Sequence, residues 1–155
     1  MVNFNGNDND INFNQSGNEN VLILQASATG DNSLITDNND IDIAQRGNAN
    51  DAVINISTVL DSNDNTMNID QSGDLNMLDI LVEGSNHTID IAQIGNENRI
   101  SGDYDGAMLI GGDSVQFSIT QDGNGNIVDG GYISDGGSIT IAQVGDYNTA
   151  TISQQ

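Results

Sequence analysis

The strongest constraint on the fold of this chain is a short signature that recurs six times. Each copy has a glutamine, a glycine two residues later and an asparagine five residues after the glutamine. Repetition of one unit along a chain is typical of solenoids, in which each unit buries its apolar face against its neighbours. The glutamines are Gln15, Gln45, Gln71, Gln93, Gln121 and Gln143, the glycines are Gly17, Gly47, Gly73, Gly95, Gly123 and Gly145, and the asparagines are Asn20, Asn50, Asn76, Asn98, Asn126 and Asn148.

Apolar residues alternate with polar or small ones on both sides of each signature. In the last copy Ile139 and Ile141 precede the glutamine at alternate positions, and Ala150 and Ile152 follow the asparagine in the same way. Successive side chains of a strand point to opposite faces, so each copy predicts two strands with one buried face. Glycine suits the turn between them because it adopts positive φ at little cost. The sequence predicts an all-β fold, a β-solenoid of about six stacked strand-turn-strand coils that form two parallel, in-register sheets.

We expect a single domain over residues 1–155, with one coil for each copy of the signature. Successive glutamines are 30, 26, 22, 28 and 22 residues apart, and the shortest spacing fits two short strands and two turns. The extra residues are expected to form loops on one edge, each between a second strand and the next first strand. The predicted coils span approximately residues 8–26, 38–57, 64–82, 86–104, 114–132 and 136–154, and residues 1–7 are expected to form an N-terminal half-coil.

The glutamine and the asparagine of each signature share the face of the buried residues. A buried amide has to be hydrogen bonded. In a stack, each amide can donate to one neighbouring coil and accept from the other, as in the amide ladders of cross-β structures. We therefore predict stacking ladders along the six glutamines and the six asparagines. The alternative, that these are only polar turn residues, suits a single copy better than six in register.

The second strands vary more than the first strands. In the fourth and fifth coils two inward positions hold Gly102 and Gly130, and we expect Tyr104 and Tyr132 at the next inward position to compensate. The outward positions of the early second strands are apolar, which predicts either lateral pairing of solenoids or cover by the inserted loops. These outward residues are Val21, Ile23, Val53, Met77 and Leu81.

Charge and composition exclude several classes of partner. The chain has 2 lysines and arginines against 23 aspartates and glutamates, a net charge of -21. Nucleic acid and anionic membrane surfaces are therefore not expected as partners. No cysteine is present, so there is no disulfide framework and no thiolate metal site. No apolar run approaches the ~18 residues of a membrane-spanning helix, so membrane insertion is not expected.

The sequence does not predict an enzyme, a cofactor or a metal site. The only histidine, His87, stands at the first inward position of a coil, where earlier coils carry asparagine, so we interpret it as a ladder residue. No serine has a visible histidine and aspartate for a nucleophilic triad. Residues 122–126 have the opening spacing of an EF-hand loop, but Ile133 stands where the bidentate glutamate belongs.

The repeat resembles the curlin repeat of curli, the bacterial extracellular functional amyloid. That family's pattern is Ser-x5-Gln-x-Gly-x2-Asn-x-Ala-x3-Gln, and the resemblance covers about residues 8–154. The leading serine is replaced throughout, by Asn9, Asn39, Asn65, His87, Val115 and Gly137. The trailing glutamine is kept only at Gln154, which we expect to join the ladders. The last unit fits best, with matches at Gln143, Gly145, Asn148, Ala150 and Gln154.

The resemblance implies a structural subunit that is secreted through the outer membrane and polymerises head-to-tail into a cross-β filament. It implies a cell-surface fibre of the biofilm matrix that serves adhesion, made after removal of a signal peptide. The main partner is the chain itself, and a nucleator subunit and the secretion machinery are further implied partners. The chain is more similar to the major subunit, since it lacks a basic terminal repeat. The alternative is a monomeric secreted solenoid, namely an adhesin, an ice-binding protein or a calcium-binding β-roll.

The net charge leads to a first testable prediction. Repulsion between chains of charge -21 opposes assembly, and salt screens such repulsion. We expect fibres to grow faster at raised salt concentration, and faster near the sequence pI of about 4.1 than at pH 7. Seeded growth measured at constant protein concentration checks this. Growth that responds to neither salt nor pH would contradict the electrostatic explanation.

Overall fold

A computed structural model describes residues 1–3, 6–26, 34–133 and 135–153, and every regular element within these ranges is a strand. The alternation of apolar and polar residues predicted the first strands closely, since each begins and ends within a few residues of the alternating segment. The fourteen strands are β1 (Val2–Asn3), β2 (Asp10–Ser16), β3 (Val21–Ala26), β4 (Asp40–Arg46), β5 (Asp51–Ile56), β6 (Thr66–Ser72), β7 (Met77–Val82), β8 (Thr88–Ile94), β9 (Arg99–Ser101), β10 (Met108–Gly111), β11 (Gln116–Asp122), β12 (Ile127–Ile133), β13 (Ser138–Val144) and β14 (Thr149–Ser153).

The strands form two parallel sheets, and the chain passes from one to the other at every turn. The first sheet has the order β2-β4-β6-β8-β11-β13 and holds the strand that precedes each signature turn. The second sheet has the order β1-β3-β5-β7-β10-β12-β14, with β9 also lying between β7 and β12. Equivalent residues of successive coils are paired, so that Gln45 lies between Gln15 and Gln71. The predicted all-β solenoid with two parallel, in-register sheets is confirmed.

The core lies between the two sheets and consists of columns of equivalent residues. In the first sheet one column runs through Ile43, Ile69, Ile91 and Ile119, each at most 3% exposed. Burial decreases at the ends of the stack, where a side chain has a neighbour on one side only. Phe13, in the first coil, is 54% exposed. Each middle coil thus depends on the coils next to it to bury its apolar side chains.

The turn from the first sheet to the second, which we call the first corner, has the same conformation in every coil. The signature glycine has φ between 98° and 134°, and the residue two positions later is left-handed, with φ between 54° and 64°. Close packing of the coils is a second reason for glycine. A Cβ atom at Gly73 would lie 2.0 Å from the carbonyl oxygen of Gly95 in the next coil.

The fourth coil departs from the expected plan, because its extra residues interrupt the second strand. After β9, residues 102–107 leave the sheet in a loop closed by two backbone hydrogen bonds between Tyr104 and Ala107. The sheet position is then resumed by β10, where Met108 pairs with Ile80 of the coil below. The expectation that every insertion follows a second strand is therefore wrong.

Residues after the loop take the inward positions that Gly102 and Tyr104 were expected to occupy. Met108 and Ile110 of β10 are fully buried, whereas Tyr104 is 52% exposed. Tyr132, in contrast, is buried as expected, and it pairs with Ile110. The loop brings two large apolar side chains into the core of a coil whose own second strand has only Ile100.

The outward apolar residues of the second sheet divide into an exposed and a covered group. Val21 and Met77 remain exposed, but Leu81 is only 4% exposed. Leu81 lies in a hollow that is lined by residues of the inserted loops, including Val59, Leu60 and Tyr104. The carboxylate of Glu83 fixes one of these loops by accepting from the backbone N–H groups of residues 58, 59 and 60 at 2.8–3.0 Å.

The close approach of successive corners can be tested with Gly73→Ala and the matched variant Gly145→Ala. Both alanines require an unfavourable positive φ, which costs on the order of 1–3 kcal/mol. Only at Gly73 would the new Cβ also meet a carbonyl oxygen at 2.0 Å, because Gly145 has no described atom closer than 3.8 Å. We expect Gly73→Ala to lower the free energy of unfolding more than Gly145→Ala, by at least ~1 kcal/mol. Equal losses in urea unfolding of the unpolymerised chain would contradict the close-packing explanation.

Candidate functional site

The six signature glutamines lie in one column at the edge of the core, where the first sheet turns into the second. The side-chain Nε2 of each of the first five glutamines donates to the Oε1 of the glutamine in the following coil, at 2.8–2.9 Å for the four bonds from Gln45 onward. Gln45, Gln71, Gln93 and Gln121 are fully buried. The column satisfies amides that would otherwise be costly to bury.

The direction of the glutamine column is set by the backbone. The second proton of each inner amide goes to a carbonyl of the opposite sheet, as from Gln71 Nε2 to Asp51 O at 3.0 Å and from Gln93 Nε2 to Met77 O at 3.0 Å. A carbonyl can only accept, so the nitrogen has to face it. Every glutamine therefore donates toward the C-terminal end of the stack and accepts from its N-terminal side.

The six signature asparagines form a second column, whose hydrogen bonds run in the opposite direction. The Oδ1 of Asn50 accepts from the backbone N–H and from the side chain of Asn76, at 3.0 and 3.1 Å. Asn76 receives the same pair of bonds from Asn98. Within this column each asparagine thus donates toward the N-terminal end of the stack and accepts from its C-terminal side, while in the inner coils its second side-chain proton goes to the signature glycine carbonyl of the following coil.

A third column stands immediately outside the asparagines, and the sequence reasoning missed it. The residue after each signature glycine is always asparagine or aspartate, and its Oδ1 accepts the backbone N–H of its counterpart in the preceding coil. As in the glutamine column, the donor of each bond lies on the N-terminal side and the acceptor on the C-terminal side. The sequence feature that could have predicted this column is the presence of asparagine or aspartate at this position in all six copies. The members are Asn18, Asn48, Asp74, Asn96, Asn124 and Asp146.

The turn back to the first sheet, the second corner, repeats the construction of the first. Asn39, Asn65 and His87 each donate a backbone N–H to the Oδ1 of the ladder residue in the preceding coil, at 2.8–3.0 Å. An outer column again lies beside them, for example where Asp37 N–H donates to Asn63 Oδ1 at 2.7 Å. At the position of the leading serine of the curlin pattern, the first three coils therefore have asparagines that form a separate ladder, and this ladder continues to His87 in the fourth coil.

His87 is the last side chain of that ladder to act as an acceptor. Its Nδ1 accepts the backbone N–H of Val115 at 3.2 Å, and its Nε2 lies 3.1 Å from the carbonyl oxygen of Glu83. The neutral ring with its proton on Nε2 satisfies both contacts. Burial lowers the pKa of His87, against the opposing effects of the Glu83 carbonyl and the charge of Asp113. These contacts give the histidine a structural role in the stack.

At the C-terminal end of the stack the columns stop with unused groups. Gln143 donates to Ile127 O at 3.0 Å, but no described residue accepts its second Nε2 proton. Asp146 has an unpaired backbone N–H within the described part of the chain, and Asn148 Oδ1 receives no bond there either. Gln154, which was also predicted to join a ladder, lies outside the described residues.

The N-terminal end carries the complementary groups at the same positions. Among residues 6–26, Gln15 Oε1 and Asn18 Oδ1 accept from no described donor, and the backbone N–H of Asn20 has no described acceptor. Each of the three columns of the first corner therefore ends in an unused donor at one end of the stack and in an unused acceptor at the other. Gln143 is matched by Gln15, Asp146 by Asn18 and Asn148 by Asn20.

The edge strands match as well. No described strand pairs with the outer side of β2 or of β13, and both are seven residues long. In the second sheet β14 is likewise unpaired on its outer side within the described chain, whereas β3 is partly covered by β1. The C-terminal end also has space beyond Gly145, where inner glycines meet the carbonyl of the next coil.

The acidic side chains do not form a metal centre in the described part of the chain. No group of three or more histidine, aspartate and glutamate residues there has the arrangement to hold a metal ion. On the outer face of the second sheet, burial and the charges of Asp51 and Asp105 raise the pKa of Asp79. Because of this raised pKa, Asp79 ionises less readily in the folded chain than in the unfolded chain. Its contribution therefore lowers the stability of the fold as the pH rises through the range in which Asp79 ionises.

Comparison with known proteins supports the resemblance inferred from the repeat. Residues 63–95 match the family model described as the curlin associated repeat. This segment begins in the outer column of a second corner and ends at the signature Gly95. No curated protein and no solved structure matches the chain. Within the residues that the structure describes, no helix is long and apolar enough to cross a membrane.

The ladder role of His87 predicts a pH dependence that asparagine at the same position would lack. The folded chain has a lowered His87 pKa, so the unfolded chain binds the proton first as the pH falls below 6.5. The contribution of His87 to stability is complete above that pH and is lost as the pH falls through the folded-state pKa. Urea unfolding between pH 7.5 and pH 5 should show a larger loss for the wild-type chain than for His87→Asn. Parallel losses in the two chains would contradict this role.

Proposed function

We propose that this chain, which carries a curlin associated repeat, is a structural subunit of an extracellular fibre that assembles head-to-tail from identical copies. The observation that carries the proposal is the complementarity of the two ends of the stack. Each of the three ladders of the first corner stops in an unused donor at one end of the stack and in an unused acceptor at the other. Stacking a second copy continues these three ladders without a change of register.

Head-to-tail stacking would also complete both sheets. With β13 of one copy beside β2 of the next, seven residues on each side gain parallel partners. Ile141 would then lie against Phe13, which is 54% exposed at the N-terminal end. The contact thus removes apolar surface from water while it satisfies backbone and side-chain hydrogen bonds.

Such a contact joins two different surfaces, and it repeats along one axis. A heterologous contact that does not close generates an open filament rather than a ring. Soluble proteins usually protect exposed edge strands with lysine, proline or bulges. This chain contains no lysine and no proline, so neither of those two devices protects its edges.

The curlin resemblance supports the biological setting of this proposal. A curli-like fibre would lie outside the cell and contribute to the biofilm matrix and to adhesion, with a structural role and no catalytic one. A nucleator subunit and the outer-membrane secretion machinery are the further partners we propose. A monomeric secreted solenoid with a binding role is the competing function, and the experiment below separates the two.

The head-to-tail register can be tested by a disulfide across the junction. In the proposed stack Thr149 of one copy lies beside Val21 of the next, at the ~4.8 Å spacing of neighbouring strands. That spacing lies within the Cα separation of ~4.4–6.8 Å that a disulfide allows. The natural chain has no cysteine, and within one copy these residues stand at opposite ends of the second sheet. We expect oxidised fibres of V21C/T149C to contain covalent dimers, trimers and longer species.

The matched control is N12C/T149C, which places the two cysteines on opposite sheets. It should form fibres without covalent oligomers. Fibres of V21C/T149C that remain uncrosslinked would show that the register is wrong. A wild-type chain that stays monomeric for days at raised salt would overturn the fibre itself and favour the monomeric binding module.

A further inference from the structure

We infer that β1 is a displaceable cap, which occupies the place on β3 that β14 of a second copy takes when the fibre grows. The inference rests on the proposed head-to-tail fibre. It adds that the N-terminal end of each free subunit is partly blocked by its own chain. Every addition step then includes the release of β1 from β3.

The register of β1 shows which place it occupies. Val2 pairs with Leu24 and Asn3 with Gln25, and the carbonyl of Met1 accepts the Leu24 N–H at 2.9 Å. At the other end of the same sheet, Ile152 and Ser153 of β14 pair with Gly130 and Gly131 of β12.

One column of inward residues connects the two ends. Leu24 pairs with Ile54, Ile54 with Ile80 and Ile80 with Met108. The pairing of Ile110 with Tyr132 places Met108 beside Gly130, and Ile152 completes the column. Val2 therefore lies on Leu24 where Ile152 of a preceding copy would lie in a continuous stack. Its neighbour Asn3 stands in the same way where Ser153 would be.

The two occupants exclude each other. Suppose that β2 of an added copy pairs with β13 of the growing end. The β3 strand of the added copy then lies directly beside β14, because β2 and β3 belong to one coil, as do β13 and β14. In the free subunit that side of β3 already holds β1. Both strands cannot make the same backbone hydrogen bonds, so β1 has to leave.

The alternative is that β1 stays and pairs with β14 as an additional strand. The two sheets would then be out of step at the junction, with one strand more in the second sheet than in the first. A gap of one strand would separate β13 from β2, leaving two seven-residue edges unpaired. Release of a two-residue strand costs less than the loss of that pairing.

The cap covers only part of the N-terminal end. Between β1 and the first sheet is a cleft of about 400 Å³, lined by Val2, Phe13, Gln15, Asn20 and Leu22, among others. Val2 itself is 41% exposed and Phe13 is 54% exposed. In the stack this space would receive inward side chains of the last coil of the neighbouring copy, such as Ile141 and Ala150. A second copy can therefore contact the edge of the first sheet without obstruction. β1 hinders only the later pairing of the second sheets.

The experiment compares seeded elongation rates of the wild-type chain, Val2→Asp and Val2→Ile, so that nucleation does not affect the result. An inward charge weakens the cap, and Val2→Asp should elongate severalfold faster despite its added negative charge. Isoleucine imitates Ile152 and adds one methylene to the cap, so Val2→Ile should elongate about two- to fourfold more slowly. Leu75→Asp is the matched control, because it adds the same charge at an exposed corner of a middle coil, where Leu75 is 55% exposed.

The axial repeat of the fibre gives a second, independent measurement. Release of β1 leaves six strand levels for each subunit, or about 29 Å, whereas a retained β1 gives seven levels, or about 34 Å. Fibres with a repeat of about 34 Å, or equal elongation rates for both Val2 variants after correction by Leu75→Asp, would overturn the cap and leave the fibre standing. Failure of every variant and of the wild-type chain to form fibres would overturn the fibre and the cap together.

Discussion

The whole structure depends on hydrogen bonds between identical positions of successive coils. A buried glutamine such as Gln71 satisfies its amide only because Gln45 and Gln93 stand directly on either side of it. The same holds for the asparagines of the first corner. A slip of one residue between two coils would leave these amides without partners and turn the apolar columns outward. Stacking in register is therefore the condition under which this polar, glycine-rich sequence can form a core.

This dependence explains why the coils tolerate large insertions but few changes at the corners. The loop at residues 102–107 leaves the sheet and returns to it, and β10 restores the column with Met108 and Ile110. The first corners have no such freedom, because the coils are in close backbone contact there. A Cβ atom on the signature glycine of an inner coil would lie about 2 Å from the glycine carbonyl oxygen of the following coil. Irregularity accumulates where neighbouring coils are not in backbone contact.

Directional ladders also give the molecule two different ends. The glutamine and asparagine columns run in opposite directions, so each end offers both donors and acceptors, at positions that differ between the two ends. The cap formed by β1 follows from the same register, because a strand that imitates the last coil can pair with the first one. The structural rule that builds the core is in this way also the rule that we propose for assembly.

The sequence by itself determined the all-β solenoid, the two sheets, the register and the residues of the two main ladders, because one local pattern repeated six times leaves few other folds. The period of two and the signature spacing carry this information within each coil. Only the tertiary structure decided the direction of the ladders, the outer columns, the burial of Leu81 and the place of β1. These depend on which atoms of different coils meet, and the split of the second strand into β9 and β10 shows why. Only the neighbouring strands β7 and β12 reveal that Met108 and Ile110, rather than Gly102 and Tyr104, complete the core columns.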